Sequence, residues 1–360
     1  MVNRDADRVT GQDAGPVGRE QSTPGSSTVP GTHRSPGVLA TRLTRLWGVD
    51  LPLVGAPMAG RAGGRLAAAV SAAGGLGMIG VGARSTPAWI TGEAETAGTG
   101  GNFGIGLMVW ALDAEAADND GTSTVFDAAV EANPTVLSLA FGDPAPWVPA
   151  AHRAGISVVA PVNDMLQVRQ ALAADVDVLC VQGTDAGGHT GRLGTMPLMQ
   201  EVLDFTAVQA PGVPVVVAGG IGTGRGVAAA LAAGADGAWI GTALLASPEA
   251  EGDEELRAAA VKAGSGSTVL TGIYDRAEQQ AWDITLWPTR TVRNAFVDRY
   301  VDDATVTDGE LVAARAPGGP YAGELKLHAG QSVGLVRQQA PAGDVVRRLA
   351  DEAERLLGRF

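Results

Sequence analysis

The chain has 360 residues, 45% of them apolar, with 51 glycines and a formal net charge of −13. That charge excludes nucleic acid as a partner, because neutralising phosphates takes clustered lysine and arginine. A single cysteine, Cys180, excludes an internal disulfide and a thiolate metal cluster, and His33, His152, His189 and His328 form no HxH or HExxH pair, so no metal site is expected.

Residues 1–36 are rich in Gly, Ser, Thr, Pro, Asp and Arg with almost nothing apolar to bury, and are expected to be a disordered leader. They hold no signal-peptide core, and no apolar run further on reaches the ~18 residues of a membrane helix, so a cytoplasmic protein without a membrane partner is expected. Apolar residues at helical spacing across 39–47 open the folded part. A strand, turn, helix rhythm then runs through residue 262. Strands are expected at 51–56, 76–80, 103–108, 136–140, 156–160, 178–181, 213–218 and 237–240. Helices are expected at 64–73, 87–97, 122–132, 145–154, 163–173, 196–205 and 224–233, with Pro87 in a first turn and Asn163 as a cap. This alternation means parallel pairing with right-handed crossovers, and eight near-evenly spaced units favour a closed (β/α)8 TIM barrel over 37–263 rather than an open doubly wound sheet. After Ala263 the rhythm stops. Residues 264–330 hold glycine turns, Trp282, Trp287 and a helix around 291–300, and 344–357 is an amphipathic terminal helix. The segment 264–360 is therefore expected to be a small helical or lid segment on the barrel.

In such a barrel, chemistry gathers where strand C-termini and βα loops meet. The sixth strand ends at Gln182 and breaks into Gly183-Thr184-Asp185-Ala186-Gly187-Gly188-His189-Thr190-Gly191. Its glycines let backbone N–H groups approach a ligand, and His189 is the one side chain there suited to moving a proton near neutral pH. Such a loop is either a plain turn or a site. The seventh and eighth strands end in Gly219-Gly220 and Gly241-Thr242, which bring N–H groups and a hydroxyl to the usual phosphate seat of barrel enzymes, with a helix start beside them. The run Gly220-Ile221-Gly222-Thr223-Gly224 is no dinucleotide fingerprint, since it follows the seventh strand and Asp236 precedes a strand instead of ending one. Ala56-Pro57-Met58-Ala59-Gly60 is either a turn around a core methionine or a ledge for a planar heterocycle. Trp110, at the end of the third strand, is core or the wall of an apolar pocket.

From Pro52 to Gly60 with Gly74-Gly75-Leu76-Gly77, in the loop Val181 to Gly191, and at Ala218-Gly219-Gly220-Ile221 with Gly241-Thr242, the chain resembles the nitronate monooxygenases, formerly called 2-nitropropane dioxygenases. The resemblance spans about residues 40–350, is most specific in the A-G-G-H-x-G loop, and includes Ala329-Gly330-Gln331-Ser332. It implies FMN in the barrel, no metal, and oxidation of a small nitronate or nitroalkane by O2 to a carbonyl compound and nitrite. It also implies roles: Ala56, Pro57 and Met58 along the flavin, Gln182 at the ring edge, and Gly187 and Gly188 flanking the ribityl phosphate. Gly219, Gly220, Ile240, Gly241 and Thr242 would hold the phosphate, and His189 would be the catalytic base. A homodimer is compatible with it. Two departures stand out. Many members carry asparagine in the third strand, where this chain has Phe103-Gly104-Ile105-Gly106-Leu107, and many carry glutamate where this chain has Asp185. The flavin-dependent NAD(P)H reductases of enoyl-acyl-carrier and quinone type resemble the same loop, and a flavin-binding protein without turnover is the alternative of another class.

Overall fold

Short apolar runs buried on both faces are what a parallel barrel asks of its strands. In the computed structural model, which describes residues 37–359, they form β1 (Leu53–Gly55), β2 (Gly77–Gly80), β3 (Phe103–Met108), β4 (Val136–Ala140), β5 (Ser157–Val162) and β6 (Val178–Gln182). A two-residue strand, β7 (Gly188–His189), precedes β8 (Val215–Ala218) and β9 (Gly237–Ile240), and β10 (Thr268–Thr271) and β11 (Thr289–Val292) follow. The expected leader, 1–36, lies outside the described residues. Eight strands pair in parallel in the order β1-β9-β8-β6-β5-β4-β3-β2. The Gly55 N–H donates to Leu76 O at 2.8 Å and the Leu76 N–H to Leu53 O at 2.9 Å, which joins the two ends and closes the barrel.

Alternation along the strands sorts the core. Val54, Met78, Val136, Val159, Val178, Cys180, Val216 and Trp239 share one inner cluster, while Ile79, Ile105, Leu137, Leu179 and Val217 pack with the helices outside. Burial pushes the Cys180 thiol well up, as its place in the inner core demands. Leu43 and Trp47, from the helix Arg42–Trp47, belong to the inner cluster and plug one end. Burying Leu43 alone contributes about 1.5–3 kcal/mol. Asp236 holds that plug, accepting from Arg42 Nε at 2.8 Å and Nη2 at 2.7 Å, which is a structural role and not a ribose-binding one. The opposite rim, where the strands end, is left to the loops.

Three local expectations change. A helix, Val109–Asp118, follows β3 directly and precedes Thr124–Glu131, where only one helix is expected. The cap of Met165–Ala173 is Asp164, whose carboxylate accepts from the Gln167 N–H at 2.9 Å, so Asn163 is free for the site. The expected helix at 291–300 divides, because Thr289-Arg290-Thr291-Val292 is a β-branched strand and Asn294 caps a shorter helix, Ala295–Tyr300. β10, β11 and β7 form an antiparallel sheet over the rim. The terminal helix, Ala342–Leu357, buries Val345, Val346, Leu349 and Ala353 against the helices Gly224–Ala232 and Gly64–Ala72, the place an eighth barrel helix fills. No helix among the described residues is long and apolar enough to cross a membrane.

Candidate active site

The three glycine turns meet on one rim. After β1, Pro57 is pressed against β3, where a Cβ on Gly106 would lie 2.4 Å from Pro57 Cβ and Cγ. Gly80, at the end of β2, receives the backbone of 57–59 in the same way, with a Cβ there 2.5 Å from Met58 C. On its other side Met58 reaches β9, its Sδ 3.3 Å from a Cβ placed on Gly241, and Ala56 Cβ stands 3.1 Å from the same point. The space beside Gly106 in the third strand is thus taken by a proline ring.

From Gly241 the rim continues through Thr242, whose Oγ1 accepts from the Gly330 N–H at 2.9 Å. Gly330 lies against the carbonyl of Asp185, and the next N–H, of Gln331, donates to that carbonyl at 2.9 Å. Gly187 is covered by Ala329 and Gly330, while Gly188, at φ +73°, has open space around its Cβ position. Asp185 Oδ2 accepts from the Thr195 N–H at 2.8 Å, so this carboxylate caps the helix Thr195–Gln209. Gly219 and Gly220 take positive φ (103° and 75°), and Gly220 faces Asp185.

Backbone donors are left over here. Among the described residues no protein acceptor takes the N–H of Gly219, Gly220, Gly241 or Thr242. Thr195 Oγ1 is buried without a partner among the described residues, 2.6 Å from where a Cβ on Gly219 would stand. Unspent donors of this kind are costly unless water or a ligand meets them. The helix start expected to help, that of Gly224–Ala232, is already taken, since the Gly224 N–H donates to Glu352 at 2.9 Å. Ile240 is buried in the outer core, so only its backbone reaches the rim, and its carbonyl accepts from the Ala56 N–H at 2.8 Å.

Gln182 and His189 stand together at the end of β6. Gln182 Nε2 donates to the His189 carbonyl at 3.2 Å, and its Oε1 accepts from Asn163 Nδ2 at 3.1 Å. One amide proton of Gln182 is left for anything at the ring edge. The His189 imidazole pairs through Nε2 with Asp275 Oδ1 at 3.0 Å, and among the described residues Nδ1 has no protein partner and keeps solvent access. Trp282 lies flat on it, ring centroids 3.4 Å apart and planes 11° apart. Phe141 and Trp110 meet Trp282 at 5.0 and 5.2 Å, and Trp287 donates from Nε1 to Asn163 Oδ1 at 3.1 Å. Trp110 therefore walls this cluster, its Nε1 buried and unpaired. Phe141 holds φ +64°, a left-handed backbone that costs an aromatic residue energy and recurs at functional sites. No cluster of three or more potential metal ligands forms among the described residues.

Sequence spacing could not bring Asp275, Trp282, Phe141 and His328 together, because they come from separate segments of the chain. The one available signal was the density of tryptophan in 264–330. His328 lies with its ring centroid 6.4 Å from that of His189, and its Nδ1 is sealed without a partner. Burial first, then Lys326 and His189, push its pKa down from 6.5 to about 3. The unfolded chain therefore takes up a proton below about 6.5 that the fold refuses, so His328's contribution to stability is complete above that pH and is lost as pH falls toward about 3. The urea midpoint should drop between pH 7 and pH 5, and His328→Leu should flatten that drop; an unchanged slope would contradict the assignment.

A sequence profile of the nitronate monooxygenases matches residues 40–352. The nitronate monooxygenase of Neurospora crassa is 29% identical over 339 residues, covering 84% of this chain and 89% of that protein. A Mycobacterium tuberculosis protein named as a monooxygenase is 33% identical over 248 residues, and there the match spans 64% of this chain and only 62% of the relative's length. Among solved structures, a FabK from Thermotoga maritima superposes with a TM-score of 0.74 at 27% identity, covering 89% of this chain and 97% of that one. A nitroalkane oxidase from Streptomyces ansochromogenes gives 0.68 at 31% identity, covering 87% and 99%.

Proposed function

Given that the chain belongs to the nitronate monooxygenase family and is an oxidoreductase, we propose that it uses FMN to oxidise small alkyl nitronates with O2, giving a carbonyl compound and nitrite, in the cytoplasm. The observation that carries this reading is the coincidence, on one rim, of unspent backbone donors at Gly219, Gly220, Gly241 and Thr242 with a histidine whose Nδ1 is unpaired. Those donors, with the Thr242 hydroxyl proton and the orphan Thr195 hydroxyl, suit a phosphate. Pro57 and Met58 offer a rigid apolar ledge for a flat ring, and Gln182 keeps one amide proton for its edge.

When bound, FMN supplies the electron acceptor that passes reducing equivalents to O2. The chain's own residues handle the proton and the charge. His189 Nδ1 takes the α-proton of a neutral nitroalkane; the C–H bond breaks, its electron pair stays on carbon, and the charge spreads onto the nitro oxygens. The imidazolium so formed then holds the anionic nitronate. Phe141, Trp110, Trp282 and Trp287 wall the histidine with aromatic surface that suits the alkyl part of the substrate.

Purified protein should be yellow or become so with FMN, and should release nitrite from propyl-2-nitronate in air. A protein that stays colourless after reconstitution removes the flavin. Rapid anaerobic bleaching by NADH or NADPH, with no nitrite from nitronates, would place the chain with the reductases that share its histidine loop.

A further inference from the structure

His189 is held by more than its own loop. Its Nε2 lies 3.0 Å from Asp275 Oδ1, and Asp275 Oδ2 accepts from Thr289 Oγ1 at 2.9 Å. The two ionisable side chains are 13% and 6% exposed. Their meeting is built by the small antiparallel sheet: Thr289 on β11 is the direct cross-strand neighbour of His189 on β7, and Asp275 sits in the short helix Ile273–Ala277 that follows β10. The Ile273 N–H donates to Thr271 Oγ1 at 3.2 Å, fixing how that helix leaves the strand. Other charged and titratable groups nearby are turned to other work. Lys326 Nζ donates to Glu278 at 2.6 Å, the Arg290 guanidinium is spent on Thr184, the Tyr274 hydroxyl accepts from Asn294, and burial holds His328 neutral. Asp275 is thus left facing the imidazole, with a hydroxyl on its far oxygen. A carboxylate this buried persists only when its oxygens are matched by donors.

We propose that Asp275, oriented by Thr289, is the positioning residue for His189, an inference that rests on the base function argued above. Its carboxylate accepts a hydrogen bond from the Nε2–H, which fixes the imidazole in the tautomer with a lone pair on Nδ1 and stabilises the imidazolium once Nδ1 has taken the substrate proton. No redox change occurs at the pair; one N–H bond forms as one C–H bond breaks. Thr289 also decides what an amide would do in the same place. With Asn at 275, the Thr289 hydroxyl keeps the carbonyl oxygen on its side, so the amide N–H2 faces Nε2 and forces the ring proton onto Nδ1.

The test is long-range proton–nitrogen NMR of the four histidines in 15N-labelled, FMN-reconstituted protein, with steady-state kinetics on nitroethane. In the wild type, His189 should carry its proton on Nε2. In Asp275→Asn the two nitrogen shifts should exchange and kcat should fall roughly 10³-fold, with Asp275→Glu recovering at least roughly tenfold of that loss. Thr289→Val, which keeps the carboxylate but removes its donor, should cost roughly three- to tenfold; this variant and the wild-type spectrum carry the test if Asp275→Asn fails to fold. A wild-type His189 protonated on Nδ1, or a folded Asp275→Asn protein with the tautomer unchanged or kcat within threefold of wild type, overturns the proposal. Should the wild type release no nitrite, the function reading fails alone, and the tautomer measurements still decide the positioning role.

Discussion

Asparagine in place of His189 is expected to lower kcat on a neutral nitroalkane by roughly 10²–10⁴-fold while the protein keeps its flavin. The substitution removes the ring nitrogen with the free lone pair, the Nδ1 that no protein group occupies. It leaves untouched the glycine turns at Gly219, Gly220 and Gly241 proposed to hold the phosphate. The loss should depend on the form of the substrate. A preformed nitronate has already lost its α-proton, so the variant forfeits only the attraction of an imidazolium, a loss of about tenfold at a partly solvated site. The ratio of kcat/KM for nitroethane to that for ethylnitronate should therefore fall by at least an order of magnitude. Nitrite release with both substrates and the visible spectrum of the variant decide it. Equal losses on the two substrates would mean that His189 binds and does not deprotonate; a colourless variant would mean that it supports the flavin instead.

Much of this molecule is legible in the amino-acid order because the barrel's demands are local. Short apolar runs placed β3, β4 and β9 to the residue, and Gly-rich strand ends located the rim. What the order could not reveal is which loops arrive over that rim. Asp275 is 86 residues from His189, and nothing in Tyr274-Asp275-Arg276 distinguishes it from any surface carboxylate. Its function is set by the pairing of Gly188-His189 with Thr289-Arg290, a two-residue register that no periodicity marks. Likewise the last helix of the segment expected on the barrel is divided from β9 by about a hundred residues, and no periodicity marks that it packs beside the first and seventh crossover helices. Long insertions cost little loop entropy, so a chain can postpone an element without giving up its place.

The third strand tests how tightly the proposed flavin ledge is determined. Gly106→Asn, which puts a polar side chain into the third strand, is expected to destabilise the protein and abolish flavin binding. A Cβ at 106 would lie 2.4 Å from two ring carbons of Pro57, far inside van der Waals contact. The proline cannot withdraw, because its backbone is backed by Gly80, where an added Cβ would be 2.5–2.6 Å from the 57–59 main chain. Met58 is held against Gly241 on the remaining side. Overpacking of this kind costs about 1–3 kcal/mol when side chains can adjust, and here one of the clashing partners is a ring on fixed backbone, so the upper end is expected. Thermal unfolding of the apoprotein and flavin absorbance after reconstitution measure the two effects separately. The clash is specific, so relieving it should show coupling: Gly106→Asn with Pro57→Gly should be more stable than Gly106→Asn alone, although Pro57→Gly by itself loosens the loop. A Gly106→Asn protein that melts with the wild type and stays yellow would mean that Pro57 yields easily and is no fixed ledge for a flavin.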